Sequence, residues 1–413
     1  MRRRSMKKTG AALVFLLVSL MLLGGVSQAG ELIFALNGKG KVFVIDDDKD
    51  EFIAAIEWSG KGGTLGSLTP DLKKLYVSAA GEGQDRVAVI DAKNLKLIKE
   101  IATGSRPKHG LVSPDGKLVG VNHWGLNDGK LRLAFIDAKT DTVVKNIDLP
   151  VDNKEAKGVS SMHNAWSWNS RYFYTANYHD DKVYVIDTKQ NFKIASEIAF
   201  DSHPHYFAPS HDDKELWITL EGKDPNAKPR IVVMAIPSMK ITHEMGMTLE
   251  AGEVIEGHHG NFDRDGKYFY CCNRGPGSKL EGISVTIHDA KTKKEVKHLV
   301  AGGKGEGHAY MSRDGKYAVI TQYGDNIITF IDTASHEKVK ELKVGEKSHV
   351  GHIAFNKDSS RGYVSNTKDG AVYVIDMKTL EVIKKLDMGT DGGAGQVLNT
   401  YTNYFELAGM PGK

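Results

Sequence analysis

"NKDSSRGYVSNTKDGAVYVIDMKTLEVIKKLDMG", residues 356–389, reads as a polar turn, a β-rich strand, a second turn, a strand closing on Ile375-Asp376, and a run of alternating apolar and charged residues. Alternation with period two, β-branched and aromatic content, and Gly/Asp/Asn punctuation specify strands. No stretch carries an amphipathic helix of useful length. The unit returns at a spacing of about 40–50 residues, which signals stacked repeats rather than unrelated domains. Its third strand recurs as KVFVID (41–46), RVAVID (86–91), RLAFID (132–137), KVYVID (182–187), RIVVMA (230–235), SVTIHD (284–289), IITFID (327–332) and AVYVID (371–376). The second strand recurs in step, from LIFALN (32–37) and KLYVSA (74–79) to YAVITQ (317–322) and GYVSNT (362–367).

Four short strands per unit make a propeller blade. Each series has eight members, so the chain is expected to be all-β, a β-propeller of four-stranded antiparallel blades. The first unit, near residues 31–58, has no inner strand of its own. At the other end, "GGAGQVLNTYTNYFE" (392–406) supplies an inner strand without outer partners. Joining the two closes the ring in a blade shared by the N- and C-terminal strands and gives eight blades. Seven is the alternative, should the last strand pack elsewhere.

Residues 1–29 stand apart. A basic head (MRRRSMKK), an apolar run (11–25) and a small-x-small site ending at Ala29 form a secretory signal peptide. The apolar run is too short for a membrane span, so no span is expected in the mature protein, and the periplasm is the expected compartment. Residues 30–413 then form a single propeller domain. The net charge of +3 includes the leader. With no basic stripe, nucleic acid is not an expected partner. No phosphate loop, HExxH or nucleophile elbow supports nucleotide or hydrolase chemistry. The two cysteines, Cys271 and Cys272, are adjacent and offer no long-range disulfide framework. They are expected to pack as small apolar residues, with a vicinal disulfide as the alternative.

The repeats "SPDGKLVGVNHWG" (113–125) and residues 356–389 resemble the YVTN-type propeller repeat over nearly all of the mature chain. The segment "GAGQVLNTYTNYF" (393–405) resembles the closing strand of the haem d1 propeller of cytochrome cd1 nitrite reductase. That resemblance implies eight blades and a cofactor in the central cavity. The chain departs from the full reductase in having no CxxCH, so it carries no c-type haem of its own.

Six residues before the turn residues Asp115, Asn169, Asp265, Asp314 and Asp358 lie His109, His163, His259, His308 and His352. Leu65 and Tyr206 hold this position in the other complete units, and His205 and His258 are its neighbours. Inner strands line a propeller's channel, so these positions are expected to converge. Imidazole is the commonest metal ligand among side chains and suits Cu, Zn, Fe and Ni; no carboxylate cluster of a Ca or Mg type accompanies it. The expected metal ligands are His109, His163, His205, His259, His308 and His352. Their occupancy is expected to fall as pH drops through the ordinary imidazole value, ~6.5. The other histidines (His179, His211, His243, His288, His298, His336) read as surface. Fourteen residues past the ring, His123, Asn177, Asn273, Gln322 and Asn366 read as turn-forming residues at a strand end.

The expectation is a periplasmic propeller whose hub binds copper or a haem d1-type macrocycle and acts on a small molecule or anion. Seven blades would leave a narrow hub suited to a metal cluster. Eight leave a wider one suited to a flat macrocycle on an axial histidine, with Arg106, Lys108, Arg274 and Lys304 near its carboxylates. Any redox cycle would need an outside electron partner such as a periplasmic cytochrome. The alternatives are a non-catalytic binding or chaperone propeller, which delivers a metal, cofactor or partner protein, and a plain scaffold with a structural histidine ring.

Overall fold

The computed structural model describes residues 31–398 apart from 63, 156–157, 223–227, 251–255, 276–279 and 390–392. The leader, 1–29, and residues 399–413 of the closing segment lie outside the described residues. Eight four-stranded antiparallel sheets account for the described chain, with one 3-10 turn, Thr188–Gln190. No helix among the described residues is long and apolar enough to cross a membrane.

Blade one is assembled from both ends of the chain. Ala394–Leu398 pairs with Leu32–Asn37, which continues to Lys41–Asp46 and the outer Glu51–Glu57. Phe34 lies opposite Leu398 and Ala35 opposite Val397. The inner strands of blades two to eight are Thr64–Leu68, Pro107–Val112, Asn164–Trp166, Pro204–Pro209, Gly257–Phe262, Glu306–Met311 and Val350–Phe355. Each touches the next, and Ala394–Leu398 touches the inner strands of both blade eight and blade two, so the cycle is closed. The expected eight-bladed ring with a shared blade is the observed one.

The second and third strands of each blade are buried on both faces and carry the apolar runs read from the sequence. Their side chains form clusters between adjacent blades. Tyr76, Val87 and Val89 of blade two pack on Val119, Val121 and Ala134 of blade three. Phe135 of blade three meets Trp166 and Phe173 of blade four edge-on. The recurrent Asp after the third strand caps the following turn, as where Asp91 Oδ1 accepts from the amides of Lys93 and Asn94. Cys271 and Cys272 are free and fully buried. They join different clusters, Cys271 with Trp217 and Phe269 and Cys272 with Tyr270 and Ile287, as neighbouring strand residues on opposite faces must.

Two bulge patterns escaped the sequence reading. Every outer strand carries one extra residue against the third strand, for example Ile53, Ile98, Val144 and Ile383. The inner strands carry a second set. In six blades two consecutive residues lie opposite one: Lys108 and His109 opposite Asn122, His205 and Tyr206 opposite Thr219, His258 and His259 opposite Cys272, Gly307 and His308 opposite Thr321, Gly351 and His352 opposite Ser365, and Gly395 and Gln396 opposite Leu36. A bulge re-aims side chains locally, and here it falls at the histidine position every time.

Candidate functional site

The inner-strand bulges open on a cavity of about 380 Å³ in the hub. Its wall contains His109, His163, His205, His258, His259, His308 and His352, together with the non-histidine ring residues Leu65, Tyr206 and Gln396. The imidazoles form an arc over blades three to eight, and blades one and two close it with Gln396 and Leu65. Strict alternation would have sent His205 and His258 away from the channel. The bulges bring both to it.

A repeated stitch fixes the arc. Thr321 Oγ1 accepts from the His308 amide at 3.2 Å and donates to Gly351 O of the next blade at 3.0 Å. Thr219 Oγ1 likewise accepts from the Tyr206 amide and donates to His258 O. Ser78 Oγ donates to Lys108 O. The hydroxyl behind one ring position thus holds the backbone just ahead of the next. Thr321→Val keeps the volume and removes both bonds. Unsatisfied buried groups cost ~1–3 kcal/mol each, so a fall in stability of about 2–4 kcal/mol is expected in urea unfolding. A change under about 0.5 kcal/mol would show that the stitch contributes little.

The rings are in close contact. Centroids lie 4.4 Å apart for His163–His259, 3.7 Å for His259–His308 and 4.7 Å for His308–His352. His205 lies 5.0 Å from His163 and 4.3 Å from His258. His163 Nε2 and His259 Nε2 are 2.9 Å apart. Outer partners hold the other nitrogens. Tyr323 OH meets His308 Nε2 and Tyr310 OH meets His352 Nδ1, both at 2.6 Å, and His258 Nδ1 donates to Gly307 O at 2.7 Å. His109 Nε2, His205 Nε2 and His259 Nδ1 are buried without a hydrogen-bond partner. His205 combines the two features, with Nδ1 against Glu221 and Tyr178 and Nε2 left over, which is the arrangement of a metal-ligating histidine. His163, His205 and His259 can each offer one nitrogen, all within 4.8 Å of one another.

Burial, reinforced by neighbouring cations and the other imidazoles, keeps these rings neutral. His109, His205 and His352 are each pushed down to about 3. Burial also carries His163, His258, His259 and His308 well below the ordinary value. The expectation that occupancy falls through ~6.5 is therefore corrected: in the folded protein the competing protons bind only at much lower pH.

The cationic residues divide. Lys108 stands in the cavity wall over the Trp124 ring at 4.4 Å, and burial pushes it down to about 8. Arg274 also reaches the wall and pairs with the buried Glu256. Arg106 does not line the cavity. Its left-handed backbone (φ 55°) and a 3.0 Å bond from Nε to Ala80 O hold it outside. Lys304 is exposed to solvent away from the wall.

Two carboxylates that the sequence reading did not single out stand beside the arc, and two surface expectations need revision. Glu221 contacts His205 Nδ1, and Tyr178 OH lies 2.7 Å from the same nitrogen. Glu256 is close enough to make a second triad with His205 and Glu221, and burial, then Glu221, push it up to about 7. Neither Glu is in the repeat register, so only the local strings "LEG" (220–222) and "EGHH" (256–259) beside strand ends hinted at them. His288 is not on the surface. It occupies the core position held by Ile45 in KVFVID and is fully buried. His179 is buried too, its Nε2 3.1 Å from Ser160 Oγ. Two of the strand-end residues behave as turn formers: Asn177 Oδ1 accepts from the His179 amide and Asn366 Oδ1 from that of Asp369, whereas Asn273 and Gln322 bond to Ser284 and Thr329 of the third strand. His123 is buried between Arg132 O and Thr103 Oγ1. A larger cavity, about 1100 Å³, is lined by Asp47, Arg313 and Arg361 and by no histidine. Its arginines are paired with Glu31 and Asp376, which makes it the weaker candidate.

No protein-family model matches the chain, and neither does any curated protein. Solved structures do. The dihydro-heme d1 dehydrogenase NirN, in complex with DHE, overlaps 90% of this chain and 75% of its own with a TM-score of 0.71 at 19% identity. Hydrazine synthase of Kuenenia stuttgartiensis overlaps 75% of this chain and 94% of its own (TM-score 0.56, 18% identity). The periplasmic gluconolactonase PpgL of Pseudomonas aeruginosa overlaps 76% and 98% (TM-score 0.57, 16% identity). At such identities the likeness is one of fold, and it agrees with the β-propeller to which the repeats pointed.

Proposed function

We propose that this protein is an exported, periplasmic propeller that holds a metal-centred cofactor in its hub and uses it on a small anionic molecule. The observation that carries this reading is the arc of neutral, mutually touching imidazoles with unpartnered ring nitrogens. Nitrogen donors of this kind suit copper, zinc, iron and nickel, and of these copper brings redox chemistry to an all-imidazole site. His163, His205 and His259 would hold the ion. Lys108 and Arg274 would draw an anion into the adjoining space, which is of the size that takes a small ligand.

A second reading is favoured by the overlap with NirN. In it the hub would hold a haem d1-type macrocycle, with an imidazole of the arc for its iron and Lys108 and Arg274 for its carboxylates. Either cofactor would supply electron transfer at the metal. The chain's own residues would orient it, keep water off one side and set the charge of the entrance. With no CxxCH in the sequence, electrons would come from a separate carrier such as a periplasmic cytochrome.

Protein stripped of metal and titrated with Cu(II) at pH 7.5 tests the reading. A ligand that binds the folded state alone adds about 2.7 kcal/mol at a hundredfold excess over its dissociation constant. A melting temperature higher by several degrees is expected, and His163→Ala/His259→Ala should remove most of the gain while the apo protein stays folded. A haem d1-type macrocycle stabilising the protein in place of copper, with its absorption spectrum shifted on binding, supports the second reading. Equal melting curves under all conditions would return the ring to a structural role.

A further inference from the structure

One residue belongs to two donor groups. His205 joins His163 and His259 in one triad and Glu221 and Glu256 in another, each with its donor atoms within 4.8 Å of one another. An imidazole can serve both, because its two nitrogens point to different sides of the ring. Nδ1 of His205 is on the carboxylate side, against Glu221 and 2.7 Å from Tyr178 OH. Nε2 is buried and has no partner, which leaves it for the hub triad. The ring is fully buried, Glu256 is 2% exposed, and the Glu221 side chain is 14% exposed.

Charge and donor type make the carboxylate side a metal site in its own right. Arg274 pairs with Glu256, while Glu221 is matched by no lysine or arginine among the described residues. Tyr178 OH donates to Glu221 Oε1 at 3.1 Å. Both carboxylates face the imidazole, and one guanidinium serves the pair. One imidazole, two carboxylates and a nearby phenol form a mixed nitrogen–oxygen set that suits Zn, Mn, Fe or Co in the divalent state.

We propose that the protein binds two divalent transition-metal ions bridged by His205, with Nε2 on the hub ion beside His163 and His259, and Nδ1 on a second ion beside Glu221 and Glu256. Bridging removes the one ring N–H proton of His205, which leaves to solvent as the second ion enters, and both nitrogens then donate a lone pair. The second ion fixes the His205 ring and withdraws charge from the hub ion across it. The hub half of this pair rests on the metal reading above; the carboxylate half does not.

The test is a Co(II) titration of the metal-stripped mature chain, followed by absorption, by metal content after gel filtration and by proton release, with circular dichroism to verify folding. The wild type is expected to hold two equivalents, and Glu221→Gln/Glu256→Gln, which preserves shape, one. His163→Ala/His259→Ala is expected to keep one equivalent on the carboxylate side. His205→Ala should weaken both by about 10- to 100-fold, the usual effect of losing an orienting or ligating group. The proposal fails if the Glu221/Glu256 variant holds as much Co(II), as tightly, as the wild type; the hub reading then stands alone. If the His163/His259 variant instead matches the wild type, the hub reading and the bridge fail, and only a carboxylate-side site remains. No bound Co(II) in the wild type overturns both.

Discussion

Lowering the pH from 7 to 4.5 should unfold the cofactor-free protein cooperatively, with uptake of several protons. Seven of the eight histidines lining the hub are neutral in the folded state because burial holds them far below the ordinary imidazole value, three of them at about 3, and burial lowers the eighth, His349, as well. In the unfolded chain they titrate near ~6.5. Between these values the unfolded state binds more protons, so stability falls as pH falls. The contribution is fully present above ~6.5 and is lost progressively toward ~3. Each such histidine removes about 1.4 kcal/mol per pH unit in that window. Glu256 works the other way: raised to about 7, it favours folding as pH drops toward the ordinary carboxyl range. Asp47, raised by burial to about 6, acts with Glu256, while His123 and His288, lowered by burial to about 4, add to the hub rings; the histidines outnumber the raised carboxylates and leave a net slope of several kcal/mol per pH unit, comparable with the whole stability of a domain. Urea midpoints at pH 7.5, 6.0 and 5.0 give the proton number directly. A value of three or more is expected between pH 6 and 5, and a value near zero would mean that the rings already carry charge or reach solvent. Metal bound by the folded hub should hold on over pH 5.5–7.5, since its ligands do not compete with protons there.

Removing the chain from Gly393 onward should be at least as severe. Val397 and Leu398 are buried, in two different clusters, one facing blade eight and one facing blade two. Burying each side chain is worth about 1.5–3 kcal/mol. The strand also carries Gln396, whose Oε1 accepts from the Gly66 amide at 2.7 Å and so ties blade one to blade two. Its loss strips Leu32–Asn37 of its inner partner and opens the cycle. Destabilisation of about 5 kcal/mol or more is expected, with oligomers in light scattering, because an unpaired strand is a template for another chain. A synthetic peptide spanning 393–398 should restore a monomer in part, by strand addition. A truncated chain that remains monomeric and melts as the full one does would show that the shared blade is dispensable.

The fold was legible because its signal is redundant. Eight copies of a strand ending in Ile-Asp, or a close variant, define the blades even where one departs, as Ala235 does in blade five. The histidine arc was legible for the same reason: a side chain repeated at one register converges when the register is wound about an axis. What remained hidden depended on single departures. Alternation predicts one channel-facing residue per inner strand, and the bulges supply a second, so Lys108, His205 and His258 join a site that period-two reasoning gives to His109, Tyr206 and His259. Glu221 and Glu256 come from loop ends outside any repeat, and only the packing of blades five and six brings them to His205. His288 misled because residue type suggested surface, whereas its position in the repeat is an isoleucine position.

The outer-strand bulges bear on how these molecules tolerate crowding. A ring of eight blades presents eight unpaired strand edges to the solution, each able in principle to recruit a neighbouring molecule. The extra residue in each interrupts the even spacing of amides and carbonyls that a foreign strand would need. Six of the eight, Ile53, Ile98, Val144, Val296, Val339 and Ile383, are β-branched and 44–50% exposed. Each stands on a different blade. The circumference is thereby a poor template for sheets that run from one molecule into the next.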